Sequence, residues 1–261
     1  MSDNSSINVE DRGWLLVVTL ERAAKRNALT RAMLERLREI FSSLGARAEL
    51  RAVILTGAER EAFCAGTDIA ELVGLDEAGA RAASLRGQEV CDAIELCNVP
   101  VIAALNGAAA GGGCELALAC HLRVASRGAT LSLPETRLGV LPAYGGTQRL
   151  ARALGTGRAL AAMIAGDALT ADEALRLGVV NRVAEPDQLL AEAESLARAV
   201  TEHAPLAVRA CLEAVTRGAR LPLEEGFALE AELFSRLFAT EDVREGTRAF
   251  LEKRAPIFKG K

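Results

Sequence analysis

Apolar and polar positions in the first two thirds of the chain follow two alternating patterns. Apolar residues spaced three and four apart predict helices over residues 30–44, with Thr30 as the N-cap, and over residues 78–96. Short apolar runs predict buried strands at residues 14–20, 51–56, 101–105, 122–125 and 130–133. Such alternation of strands and helices is typical of an α/β fold with parallel strand pairing.

The pattern changes near residue 186, after which almost every segment has helical spacing. These helices carry more apolar side chains than a short bundle can bury by itself, among them Leu223, Phe227, Phe234 and Phe238. We therefore predict an α/β core over residues 1–200 and a helical region over residues 201–261. That helical region packs on its own core or on a sister subunit.

Composition narrows the class of protein. Half of the 261 residues are hydrophobic and a quarter are charged, which predicts a folded chain rather than a disordered one. A net charge of -4 argues against nucleic acid or an anionic membrane as the main partner. No apolar run is long enough to cross a bilayer. The first 13 residues carry acidic side chains and no apolar segment of a secretory signal, so we expect a cytoplasmic protein.

Motifs for metal ions, nucleophiles and phosphate loops are missing from the sequence. The cysteines form no CxxC pair, and two histidines supply too few ligands for a His-based zinc site. No GxSxG or GxxxxGK[ST] segment occurs. Gly111 and Gly113 are followed by Leu116 where a dinucleotide-binding motif needs its third glycine. We therefore expect neither a metal ion nor a bound cofactor.

Two glycine-containing segments are candidates for stabilising negative charge. In FCAGTDI, residues 63–69, a helix that begins after Gly66 would present unpaired backbone N–H groups. In NGAAAGGGCEL, residues 106–116, three glycines stand between a buried strand and a helix. Gly112 has no side chain, so we expect a substrate to approach its N–H group closely. The alternative for residues 63–69 is a tight turn that binds nothing.

Two glutamates are candidates for proton transfer. Glu115 lies in the first turn of a predicted apolar helix, where the helix dipole stabilises a carboxylate and burial raises its pKa. Glu135 follows Pro134 on a later element. Two carboxyl groups facing one cleft can divide acid and base roles around a water molecule. The alternatives are that Glu115 only stabilises its helix and that Glu135 is a solvated turn residue.

The segments FCAGTDI, NGxxxGGGCELALAC and PETRLGVLPxxGGTQRL, in this order and spacing, resemble the crotonase (enoyl-CoA hydratase/isomerase) superfamily. The resemblance extends from about residue 7 to the closing EKRAPIFKGK. It implies a spiral of ββα repeats with a C-terminal helical region that trimerises, giving a homotrimer or a homohexamer. It also implies an acyl-CoA thioester as the substrate, so that coenzyme A belongs to the substrate.

The resemblance implies roles for individual residues. The backbone N–H groups of Thr67 and Gly112 match the two donors of an oxyanion hole, and Glu115 and Glu135 match the two catalytic glutamates of the hydratases. A threonine in place of the more usual alanine at residue 67 leaves the backbone donor in place. The residues that match contacts to coenzyme A are Ala65, Thr67, Asp68, Ile69, Lys25, Arg26 and, from a neighbouring subunit, Lys259.

The presence of both glutamates favours an enoyl-CoA hydratase, which adds water across a 2,3 double bond. A Δ3-Δ2 enoyl-CoA isomerase is the nearest alternative, because isomerases commonly keep only the glutamate that matches Glu135. A branched or dicarboxylic substrate such as 3-methylglutaconyl-CoA is a variant of the hydratase hypothesis. A dehalogenase of this family needs an aspartate nucleophile, and an RNA-binding member needs a basic aromatic surface.

Four residues depart from the family pattern. Ala108, Ala143 and Tyr144 stand where a bulky residue, a glycine and a small residue are usual. All three bear on the shape of the acyl pocket, so the length and branching of the acyl chain stay open. His121 replaces an aspartate that is frequent in the family, and we expect it to make a structural contact.

Overall fold

The structure is a computed structural model that describes residues 6–261. Its strands are β1 (Ile7–Asp11), β2 (Leu15–Leu20), β3 (Ala52–Gly57), β4 (Ala62–Cys64), β5 (Val101–Leu105), β6 (Ala108–Ala110), β7 (Leu122–Ser126), β8 (Thr130–Ser132), β9 (Leu169–Thr170) and β10 (Arg182–Ala184). Its α-helices are α1 (Arg31–Ser43), α2 (Glu77–Glu95), α3 (Gly112–Ala119), α4 (Gly146–Leu154), α5 (Thr156–Leu160), α6 (Ala171–Arg176), α7 (Leu189–Thr201), α8 (Pro205–Gly218), α9 (Leu223–Leu237) and α10 (Glu241–Glu252). Among the described residues, no helix is long and apolar enough to cross a lipid bilayer.

The strands form two sheets, and from β3 to β8 successive strands belong alternately to one sheet and to the other. The larger sheet has the order β1-β2-β3-β5-β7-β10, and the smaller has the order β4-β6-β8-β9. Neighbours in the larger sheet are parallel except for the pair β1 and β2. Strands β3, β5 and β7 are each followed by a strand of the smaller sheet and then by a helix. This repeated order confirms the predicted α/β spiral of ββα units.

The central strands are apolar because both faces of the larger sheet are covered. Every residue of β3 and β5 is buried, as expected for parallel strands with a layer on each side. One face packs on the main core, which includes α1 and α2. The other face packs on α7 through Leu189, Ala193 and Ala197. Helix α7 therefore belongs to the layered core.

The helices after α7 bury little of their surface. Helix α8 has no buried residue, and α9 has only Leu233. Large apolar side chains are exposed on α9, at the residue that follows it and on α10, namely Phe227, Phe234, Phe238, Phe250 and Leu251. The division at residues 200 and 201 and the association of these helices with sister subunits stay predictions.

The predicted helix after Gly66 is wrong. The chain forms only a single 3₁₀ turn there, Ile69–Glu71, and Thr67 lies in an extended segment before it. The physical reason is lateral hydrogen bonding to residues 26–29. Leu29 N donates to Gly66 O at 2.7 Å, and Asp68 N donates to Leu29 O at 2.8 Å. These bonds hold the segment extended, so a helix cannot begin at residue 67.

Asn27 connects the loop at residues 22–28 to the turn that follows β3. Its side chain is 1 % exposed and its φ is 57°, a left-handed conformation that asparagine tolerates better than most residues. Its Nδ2 atom donates to Ala58 O at 3.0 Å and to Ala62 O at 2.9 Å. Its Oδ1 atom accepts from Arg22 N at 3.0 Å. The loop that carries Lys25 and Arg26 is thereby fixed to the start of β4.

We expect Asn27→Ala to lower the free energy of unfolding by about 2–4 kcal/mol, because it leaves buried backbone groups without partners and places alanine at a positive φ. Urea unfolding at matched protein concentration measures the change. Asn8→Ala is the control, since Asn8 is exposed on β1, and it should shift stability by about 0.5 kcal/mol or less. Equal effects of the two substitutions would contradict the assigned role of Asn27.

Candidate active site

Glu115 is buried in the first turn of α3. The chain enters this helix through Gly111, whose φ of 51° and ψ of −128° require glycine. The side chain of Glu115 is 1 % exposed, and its Oε1 atom accepts from Tyr144 N at 2.8 Å and from Gly146 N at 2.7 Å. Burial raises the pKa of Glu115, while the two backbone donors and nearby Arg149 oppose that rise.

Glu135 lies beside the start of α3, at the beginning of the 3₁₀ turn Glu135–Leu138. A Cβ atom placed on Gly111 would be 3.0 Å from its Oε1 atom, so the carboxyl group sits against the glycine run. Its Oε2 atom is buried and has no hydrogen-bond partner among the described residues. Burial, with a smaller contribution from the negative charge of Glu115, raises the pKa of Glu135 to about 7.

The extended segment at residues 65–67 contacts the N-terminus of α3. Gly66 has a φ of 101°, and a Cβ atom on it would lie 2.9 Å from Ala110 O and 3.4 Å from Gly112 N. Within residues 6–261, neither Thr67 N–H nor Gly112 N–H donates a hydrogen bond to the protein. Two backbone donors on adjacent segments are thus free of protein acceptors, which an oxyanion hole requires.

The space beside Gly112 is filled by Tyr144. A Cβ atom on Gly112 would lie 2.9 Å from Tyr144 Cε2 and 3.3 Å from Thr67 Oγ1. The Tyr144 hydroxyl is 2.8 Å from Thr67 Oγ1, and burial raises the pKa of the phenol, which is therefore neutral at physiological pH. The sequence suggested that the missing side chain admits a substrate. In the structure it also makes room for an aromatic ring, and the close approach of a substrate to the Gly112 N–H group stays a prediction.

Arg149, on α4, holds the loop that precedes this helix. Its guanidinium donates to Tyr144 O at 3.1 Å, to Asp92 Oδ1 at 2.9 Å and to Glu95 Oε2 at 2.7 Å. Arg220, after α8, binds the same two carboxylates. This network ties the loop to α2 and to the helical region. Sequence analysis missed it, and the only signal was an arginine one turn beyond Gly145-Gly146.

His121 makes the structural contact that was expected of it. Its Nδ1 atom accepts from Val101 N at 2.9 Å, and its Nε2 atom lies 3.0 Å from Glu95 O. Both ring nitrogens are thus engaged by backbone groups, and burial lowers the pKa of the imidazole. His121 therefore joins β5 to the end of α2.

The residues predicted to contact coenzyme A fall into two groups. Ala65 N donates to Arg26 O at 2.9 Å, so the segments that carry Lys25 and Ile69 lie side by side. The Arg26 side chain is paired with Glu61 at 2.6 Å. The Asp68 carboxylate accepts from Arg22 at 2.7 Å, an interaction that lowers its pKa.

Lys259 lies apart from those segments. Its backbone N–H donates to Asp242 Oδ1 at 2.7 Å, and Gly260 N donates to Asp242 Oδ2 at 2.8 Å. These bonds hold the C-terminal residues against the first turn of α10. No hydrogen bond or ion pair among the described residues connects Lys259 to Lys25 or Arg26. The predicted approach of Lys259 from a neighbouring subunit stays a prediction.

Comparison with known proteins gives a consistent result. Residues 10–261 match the family model described as enoyl-CoA hydratase/isomerase. The chain is 39 % identical over 250 residues to the short-chain-enoyl-CoA hydratase of Clostridium acetobutylicum, covering 96 % of each chain. It is 38 % identical over 253 residues to the crotonyl-CoA hydratase of Syntrophomonas wolfei, covering 97 % of each chain.

A solved structure shows the same fold. The crystal structure of enoyl-CoA hydratase from Bacillus anthracis superposes with a TM-score of 0.93 at 38 % sequence identity. The match covers 98 % of this chain and 100 % of that one. Sequence and fold therefore agree over nearly the whole length. The chain belongs to the enoyl-CoA hydratase/isomerase family of enzymes.

Proposed function

We propose that this protein is an enoyl-CoA hydratase that adds water across the 2,3 double bond of a 2-enoyl-CoA thioester. The observation that carries the proposal is one cluster of groups: the buried Glu115 and the half-buried Glu135 in different environments, beside two free backbone donors. The relatives named short-chain-enoyl-CoA and crotonyl-CoA hydratases support an acyl-CoA substrate. The residue roles below are part of the proposal.

The Thr67 and Gly112 N–H groups receive the thioester oxygen. Addition of water at C3 pushes the electron pair of the double bond toward C1, so negative charge develops on this oxygen. Donors that are already in place stabilise that charge without reorganising, and each is worth on the order of a hundredfold in rate. Both donors belong to the backbone, so the threonine side chain is not required for this step.

The two glutamates divide the proton transfers. Glu115 is the base, because two backbone N–H bonds and nearby Arg149 favour its ionised form. It takes a proton from water as the water oxygen bonds to C3. Glu135 is the acid, because a pKa of about 7 keeps much of it protonated near neutral pH. It gives its proton to C2. Glu115 gains one proton and Glu135 loses one, so the total charge is unchanged, and neither step needs a metal ion or a redox cofactor.

Coenzyme A binding and assembly complete the proposal. Residues 65–69 bind the adenine end of coenzyme A through the backbone. Lys25 and Arg26 contact its phosphates, and Arg26 leaves its exposed ion pair with Glu61 to do so. The exposed phenylalanines of α9 associate with sister subunits in a homotrimer or homohexamer. In that assembly Lys259 of a neighbouring subunit adds a phosphate contact.

We expect Glu115→Gln and Glu135→Gln each to lower kcat for crotonyl-CoA by about a hundredfold or more, the usual weight of a positioned acid or base. Loss of absorbance of the conjugated enoyl thioester measures the rate. Glu39→Gln is the matched control, because Glu39 is exposed on α1, where it pairs with Arg36. It should retain the wild-type rate, and a near-normal rate in either test variant would remove that glutamate from the mechanism.

The raised pKa of Glu135 predicts a pH-dependent stability. The folded state binds this proton more tightly than the unfolded state, whose pKa is near 4.5, so the wild type loses stability as the pH rises from 4.5 through about 7. Glutamine does not titrate. We therefore expect the difference in Tm, Glu135→Gln minus wild type, to be more positive at pH 8 than at pH 5. A difference that is constant with pH, measured by calorimetry, would refute the raised pKa.

The exposed apolar face of α9 predicts an oligomer. Light scattering should give a mass of at least three times 27.5 kDa. Charged substitutions on the face, Phe234→Glu with Phe238→Glu, should shift the mass toward the monomer, because they place carboxylates in a buried interface. Glu232→Gln is the control, because Glu232 is an exposed polar residue on the same helix, and the variant should keep the wild-type mass. A 27.5 kDa wild-type particle at dilute concentration would disprove the assembly.

A further inference from the structure

We propose that Tyr144 forms the closed end of the acyl pocket and restricts the enzyme to 2-enoyl-CoA thioesters with short acyl chains. The proposal rests on the proposed function, because the pocket is located from the Thr67 and Gly112 amides. It assigns substrate selectivity to a single side chain, the only tyrosine in the protein.

The ring of Tyr144 occupies a slot made by two glycines. A Cβ atom on Gly87 of α2 would lie 1.9 Å from Tyr144 Cδ1, and one on Gly112 of α3 would lie 2.9 Å from Tyr144 Cε2. Any side chain at Gly87 would overlap the ring, and one at Gly112 would press against it. The two helices therefore contact opposite sides of the ring, which is 5 % exposed.

The ring is held at both of its ends. At the backbone, Tyr144 N donates to Glu115 Oε1, and Tyr144 O accepts from Arg149. The preceding carbonyl, Ala143 O, accepts from Ser84 Oγ at 2.8 Å and from Gln88 Nε2 at 3.1 Å, both on α2. These anchors fix the loop that carries the ring.

At the far end, the hydroxyl bonds to Thr67 Oγ1 at 2.8 Å. Swinging the ring out of the slot would break this bond and would leave an apolar cavity between α2 and α3. The ring is consequently a fixed wall, whereas an unanchored side chain could move aside for a longer substrate.

The position of this wall relative to a substrate follows from the donors. The thioester oxygen lies between Thr67 N–H and Gly112 N–H, and both residues also contact Tyr144. The double bond next to it points toward Glu115 and Glu135. Glu115 acts at C3 and accepts from Tyr144 N, so the loop that carries the ring lies at the C3 end of the double bond, away from the thioester. Carbons beyond the double bond meet this side chain and its loop, so a short chain fits and a long chain does not.

The test compares crotonyl-CoA, with four acyl carbons, and 2-decenoyl-CoA, with ten, in wild type, Tyr144→Ala and Tyr144→Phe. We expect wild-type kcat/KM to favour crotonyl-CoA by about tenfold or more, and Tyr144→Ala to reduce that preference by about tenfold or more. Tyr144→Phe is the matched control, since it keeps the ring and should keep the preference within about threefold. An unchanged preference in folded Tyr144→Ala overturns the proposal.

Two further measurements keep the proposal testable. If Tyr144→Ala does not fold, the comparison of the two substrates in wild type and Tyr144→Phe is the test. Equal kcat/KM values for the two substrates overturn the role of Tyr144. If the wild type hydrates neither substrate, the proposed function fails. Calorimetric binding of crotonyl-CoA and 2-decenoyl-CoA to wild type and Tyr144→Phe then tests the wall separately. Tighter binding of crotonyl-CoA by both proteins supports it, and equal affinities overturn it.

Discussion

The carboxylate of Glu115, buried at the start of α3, is the group around which the site is arranged. Taking a carboxylate out of water is costly unless hydrogen bonds replace those lost to the solvent. Glu115 regains two of them because the loop before α4 turns back and presents Tyr144 N–H and Gly146 N–H. A Cβ atom on Gly146 would lie 2.7 Å from Glu115 Cγ, so this approach depends on a glycine. The loop is in turn held by Arg149, and through Arg149 by α2.

The different environments of the two glutamates come from the backbone around them. Glu115 accepts from two N–H groups, whereas Glu135 has a buried oxygen for which residues 6–261 supply no hydrogen-bond partner. Burial raises the pKa of both carboxyl groups, but backbone donors and Arg149 oppose the rise at Glu115, whereas the negative charge of Glu115 adds to it at Glu135. Small shifts of the loop at residues 144–146 would change this balance, because they would remove donors from Glu115 only. The anchoring of the loop by Arg149 thus protects the difference between the two carboxyl groups.

The sequence predicted those elements whose signals are local. Strands β3 and β5 are continuous apolar runs, and α1 has a capping Thr30 with apolar residues at helical spacing. The two glutamates were also predicted as a pair, through motifs that lie close to each of them. The extended segment at Thr67 was not predicted, because its hydrogen-bonding partners at residues 26–29 are distant in the chain. The contact of Tyr144 with Gly87 has the same origin, since no local pattern links the two positions.

The ring of Tyr144 occupies the space that a side chain at residue 87 would need, and this constrains the order in which the two residues can change during evolution. A side chain at residue 87 would overlap the ring of Tyr144, so substitution there first meets a steric clash in a packed interior. Substitution of Tyr144 by a smaller residue first leaves a cavity, which the surrounding helices can partly relax around. A lineage that replaces Tyr144 by a smaller residue and Gly87 by a larger one therefore has one accessible order of changes, and its intermediate is an enzyme with a cavity between α2 and α3.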